Sequence, residues 1–109
     1  MKTDASTLSQ TESETKFMSM YVHVTPEGCI EDIYEEDRDA LGTYEVIVPR
    51  SLSPSLAAAA ALGAYHSEVP IKYLWGFDFV VLDENGREVT PDYDVDCYDI
   101  AEEYNAKLN

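Results

Sequence analysis

Basic residues are scarce in this chain: seven Lys and Arg stand against 22 Asp and Glu, giving a formal net charge of −15 and a pI near 4.1. A surface of that sign is repelled by nucleic acid and by anionic membranes, so direct DNA or RNA binding is disfavoured and basic proteins or cations remain as partners. Cysteine is rarer still. Cys29 and Cys97 lie far apart with no C-x-x-C arrangement, and no apolar run near Met1 reads as a signal peptide, so both are expected to be free thiols in a cytoplasmic protein. No hydrophobic run approaches the roughly 20 residues that span a bilayer; the longest, Leu56 to Ala64, is mostly alanine. The two histidines, His23 and His66, fall in different elements, and the glycines are isolated from one another. Neither a nucleophile–base pair nor a phosphate-cradling loop is therefore in view, and the chain reads as a non-enzyme without a cofactor.

What is present is a globular composition: 109 residues, 45% of them hydrophobic and 11% aromatic, enough for one domain with a core of its own. Met1 to Thr15 is Ser/Thr-rich and without period, which predicts a disordered tail before a single domain at 16–109. From Phe17 the pattern is period two, with Met18, Met20, Val22 and Val24 on one face, a strand. Residues 26–41 admit two readings. Thr25-Pro26-Glu27-Gly28 suits a type I turn and a hairpin into Cys29 to Glu35, the reading slightly preferred; Thr25 as N-cap, Pro26 at the first helical position and Ile30, Ile33, Tyr34 and Leu41 at helical spacing suit a helix. Either way Glu31, Asp32, Glu35, Glu36, Asp37 and Asp39 are expected largely in solvent, because an uncompensated buried carboxylate is costly.

Tyr44 to Val48 predicts a second strand, and Ser53-Pro54 opens an alanine-rich helix to about His66. Ile71 to Leu82 carries apolar side chains at every odd position, Ile71, Tyr73, Trp75, Phe77, Phe79 and Val81, and reads as a central strand covered on that face by the alanine helix. Its aromatics read as core in preference to a ligand pocket. Asn85-Gly86 predicts a hairpin with Arg87 to Thr90 as return strand. Cys97 to Leu108, with Asp96 as N-cap, predicts a second covering helix. The fold class is thus α+β: an antiparallel sheet of four or five strands covered by an Ala-rich helix and a C-terminal helix.

Two acidic segments are candidates for chemistry. Asp92, Asp94 and Asp96, with Glu103 twelfth from Asp92, match the ligand spacing of an EF-hand calcium loop. Cys97 stands where that loop needs Gly, Asp99 where an apolar residue is usual, and Pro91 where a helix should enter, so these four are weak metal candidates and an extended segment is preferred. Extended, Asp92, Asp94 and Asp96 project to one side at roughly 6.6 Å intervals, comparable to successive phosphates. Glu31 to Asp39 forms the second block. Tyr34 and Tyr93 lie among these acids, and tyrosine is a common interface anchor. Acidity of this size also serves solubility or adaptation to salt.

In size, composition and acidic rows the chain resembles the small acidic proteins by which phages and mobile elements disable host defence, the anti-CRISPR and anti-restriction DNA mimics. That likeness carries no sequence motif. It implies a cytoplasmic inhibitor that occupies a Lys/Arg groove meant for phosphates on a basic, nucleic-acid-binding protein, through Glu31 to Asp39, Tyr34 and Asp92 to Asp96. An immunity protein for a cationic toxin and an acidic domain that binds a metal or small ligand are the alternatives.

Overall fold

A computed structural model describes residues 16–109; the tail expected at 1–15 lies outside the described residues. The elements are β1 (Phe17–Pro26), β2 (Gly42–Pro49), α1 (Pro54–Glu68), β3 (Phe77–Leu82), α2 (Cys97–Glu103) and β4 (Lys107–Leu108), with 3-10 turns at Ile30–Asp32 and Glu35–Ala40. The four strands form one antiparallel sheet in the order β3-β1-β2-β4. The α+β class expected from the sequence is the one observed.

Alternation selects the buried face. Met20, Val22 and Val24 of β1 lie within 1% of full burial, as do Val46 and Val48 of β2, and Val81 of β3 joins them. Register aligns them side by side: Met20 opposes Val46, Val22 opposes Val81, and Val24 opposes Phe79. Each fully buried valine stabilises the fold by about 1.5–2 kcal/mol before entropy is counted.

Helix α1 lies on that face. Ser53 holds the extended N-cap conformation and Pro54 occupies the first turn, as the sequence predicts. Ala57 to Ala61 are completely buried, because α1 is covered on both sides, by the sheet and by α2. The cover is therefore two helices deep. Gly63 makes this possible: a Cβ there would stand 1.9 Å from the Cys97 carbonyl oxygen. Only glycine lets the two backbones approach so closely.

Four sequence expectations change. The Ile71–Leu82 stretch is not a central strand. Only Phe77–Leu82 is extended in the sheet, it lies at the edge, and β1 holds the centre. The 26–41 region is neither hairpin nor α-helix; Pro26 still belongs to β1, and the rest crosses to β2 through the two 3-10 turns. The Asn85-Gly86 turn forms, with Asp83 accepting from the Asn85 and Arg87 amides, yet the return strand shrinks to a single bridge between Leu82 and Glu88. The C-terminal helix ends at Glu103, after which Asn105 adopts a positive φ and Lys107–Leu108 pairs with β2.

Candidate interaction surface

Pro70 follows the end of α1, and the chain from Ile71 to Gly76 cannot continue the sheet because β1 ends opposite Phe77. It is fastened instead to the 3-10 region. Asp37, 4% exposed, accepts hydrogen bonds from the backbone amides of Lys72 at 2.9 Å and Tyr73 at 3.1 Å. At the far end Glu27 N–H donates to the Gly76 carbonyl at 2.8 Å, and Gly76 takes a φ of 91° while lying over the Asp32 backbone and the Ile33 side chain. Asp37 thus departs from the expectation that its block stays in solvent. Two amide donors provide the compensation that burial of a carboxylate requires.

This fastening turns three rings outward. Trp75 is 62% exposed, Tyr34 49% and Tyr73 40%, with Leu74 and Ile30 also exposed. Tyr34 and Tyr73 have ring centroids 4.6 Å apart, and Trp75 meets Tyr34 edge-on at 6.3 Å. The expectation that the Ile71–Leu82 aromatics form the core therefore holds for Phe77, which is buried, and for half-buried Phe79, and fails for Tyr73 and Trp75. Gly76 inside an apparent strand was the available signal, since an interior glycine marks a bend or a close backbone approach.

Carboxylates surround the rings. Glu31, Asp32, Glu35 and Glu36 are exposed on the two 3-10 turns that flank Tyr34, and Asp39 is exposed nearby. Glu27, Asp32 and Trp75 line one shallow hollow of about 460 Å³ together with Gly28, Gly76 and Phe77. The two cations of the region do little to neutralise it. Arg38 directs its Nε to the Ile33 carbonyl at 3.2 Å. Lys72 places Nζ 3.8 Å from Glu36 and 5.4 Å from the Tyr73 ring centroid, with both charged side chains mostly exposed.

The second acidic segment is arranged differently. Asp92 to Val95 forms a turn and a bend where an extended row was expected, because Asp92 accepts from the Asp94 amide at 2.9 Å. Asp96 caps α2 as predicted, accepting from the Tyr98 and Asp99 amides. The regular projection of Asp92, Asp94 and Asp96 is thereby lost. Among the described residues no group of three or more His, Cys, Asp or Glu could hold a metal ion, so Asp92, Asp94, Asp96 and Glu103 do not assemble as calcium ligands. Tyr93 stands 77% exposed beside them.

The two segments attach to opposite ends of α1. The Asp92 amide donates to the Ser55 carbonyl in its first turn, whereas Tyr65, near its end, donates its hydroxyl to the Ala40 carbonyl. Burial pushes the Tyr65 hydroxyl pKa well above its ordinary value. His66, one residue on, packs edge-on against Phe79 at 4.8 Å, and burial lowers its pKa. His23 is exposed and meets Thr43 across the β1–β2 pair at 2.7 Å. Cys29 and Cys97 are free thiols, and burial is the main cause that raises the pKa of Cys97. No helix among the described residues is long and apolar enough to cross a membrane.

The arrangement defines an α+β protein whose helices are stacked on one face of an antiparallel sheet and whose exposed rings sit among carboxylates. No family model, no curated protein and no solved structure matches the chain.

Proposed function

We propose that this protein is a non-catalytic, stoichiometric inhibitor that occupies a basic, nucleic-acid-binding surface on another protein, in the manner of anti-CRISPR and anti-restriction DNA mimics. The observation that carries this reading is the exposed set Glu31, Asp32, Glu35 and Glu36 around the Tyr34, Tyr73 and Trp75 rings, with Lys72–Glu36 as its one ion pair among the described residues. Aromatic anchors within a polar rim are enriched at protein-binding surfaces. A net charge of −15 adds long-range attraction to a Lys/Arg groove and speeds association. Because Asp92 to Val95 turns, the phosphate-like carboxylates of this reading are chiefly those of the Tyr34 region.

The experiment is a pull-down with the immobilised chain at low salt and at about 0.5 M salt, where screening shortens electrostatic reach to a few ångströms. Recovery of nucleic-acid-binding proteins at low salt, released at high salt and released by competing DNA, is the expected result. Recovery of no basic protein at low salt would contradict it.

A further inference from the structure

We infer that the Tyr34–Tyr73–Trp75 cluster is an arginine anchor: its ring faces, with the carboxylates of Glu27 and Asp32 beside Trp75, take a guanidinium from the partner. This rests on the proposed basic partner and names the contact at its centre. The cluster is an exposed aromatic patch over which only Lys72 reaches among the described residues, and the carboxylates of Glu27, Glu31, Asp32, Glu35 and Glu36 outnumber the cations Arg38 and Lys72 around it. Charge complementarity therefore selects a cationic occupant. Planarity selects arginine, because a guanidinium stacks on an aromatic face while presenting a fork of N–H donors to carboxylates, and an ammonium does neither as well. Trp75, Glu27 and Asp32 line one hollow, so a ring-bearing and two acid-bearing residues are neighbours at this end of the cluster. Asp32 has one oxygen directed to the Cys29 amide, at 3.3 Å, which orients the carboxylate and leaves its other oxygen to accept.

The same chemistry already operates within the chain. Lys72 lies over the Tyr73 ring and beside Glu36, a cation held between an aromatic face and a carboxylate. It is an internal occupant of part of the patch, and a partner arginine must share the surface with it. Removing Lys72 should consequently strengthen binding by more than removing an equal charge elsewhere.

The test titrates the whole chain with labelled oligoarginine and oligolysine peptides of equal length, read by anisotropy and by the emission of Trp75, the chain's single tryptophan. The arginine peptide is expected to bind about fivefold to tenfold more tightly, and to shift Trp75 emission saturably. Trp75→Ala and Tyr34→Ala should each weaken arginine binding by about tenfold, at the level of one desolvated cation–π contact. Asp94→Asn paired with Asp99→Asn, which removes charge without touching the rings, should change it by less than about twofold. Lys72→Gln should tighten it further than Lys107→Gln does. All these side chains are exposed, and circular dichroism verifies that each variant is folded. Equal affinity for the two peptides with no loss in the ring variants overturns the arginine anchor and leaves the basic partner standing. Failure of both peptides to bind at low salt overturns both.

Discussion

The carboxylates leading into α2 serve their own backbone: Asp92 closes a turn on the Asp94 amide, and Asp96 caps the helix through Tyr98 and Asp99. Around Tyr34 the division is sharper, with Asp37 buried beneath the surface to hold the Lys72 and Tyr73 amides and its acidic neighbours Glu31, Asp32, Glu35 and Glu36 exposed to solvent beside three rings. Two segments of similar composition thus do different work. One is a set of local caps, and the other is a long-range latch below an exposed surface.

The most severe way to break that difference is to cut the latch. Asp37→Ala leaves two amides without acceptors beneath the rings and is expected to cost about 3 kcal/mol, read as a shift in the denaturation midpoint. Next is Gly63→Ala, which tests how α2 is seated. The new methyl would meet the Cys97 carbonyl at 1.9 Å, so a loss of about 2 kcal/mol is expected despite the better helix propensity of alanine. Asp96→Ala removes a helix cap and should cost about 1 kcal/mol by the same measurement. A rise in stability on Asp37→Ala, or a loss on Asp96→Ala larger than on Asp37→Ala, would reverse the contrast between latch and cap.

The smallest expected effect concerns pH at the end of α1 nearest the aromatic region. Burial lowers the pKa of His66 below its ordinary 6.5, so the unfolded chain takes up the proton first. Its contribution favours folding least at low pH: stability falls as pH drops through 6.5 toward the lower folded value, and is unaffected above 6.5. Urea midpoints at about pH 7.5 and about pH 5.5 should show a shallower pH dependence in His66→Gln than in the natural chain. An unchanged dependence would show that His66 is not held neutral by its packing.

Much of the scaffold was legible. Period-two runs at Met18–Val24 and Tyr44–Val48, Ser53-Pro54 before the alanines, Asn85-Gly86 and the Asp96 cap are local patterns, and local geometry decides them. The status of Ile71–Gly76 was not legible in the same way. Its odd-position alternation is real, but a strand needs a partner, and β1 ends at Pro26 opposite Phe77. Without that partner the alternation puts Tyr73 and Trp75 outside. The burial of Asp37 was equally invisible, because the amides that compensate it come from 35 and 36 positions further along the chain. Of the candidate site, Tyr34 and the acids from Glu31 to Glu36 are legible in the sequence; Glu27 reads there only as a turn residue and the rings of Tyr73 and Trp75 as core, and only the fold brings those rings to Tyr34.

A partner docked on the Tyr34 region makes the two acidic segments unequal in binding, and one paired measurement tests that inequality. A purified basic protein recovered in the low-salt pull-down is titrated by calorimetry with two charge-matched variants. One carries Glu31→Gln, Asp32→Asn, Glu35→Gln and Glu36→Gln; the other carries Asp94→Asn, Asp99→Asn, Glu102→Gln and Glu103→Gln, which spares both caps. The first variant is expected to lose binding by about a hundredfold and the second by less than about fivefold. Equal losses would mean that net charge alone drives association, and a larger loss in the second would place the docking surface at α2 instead.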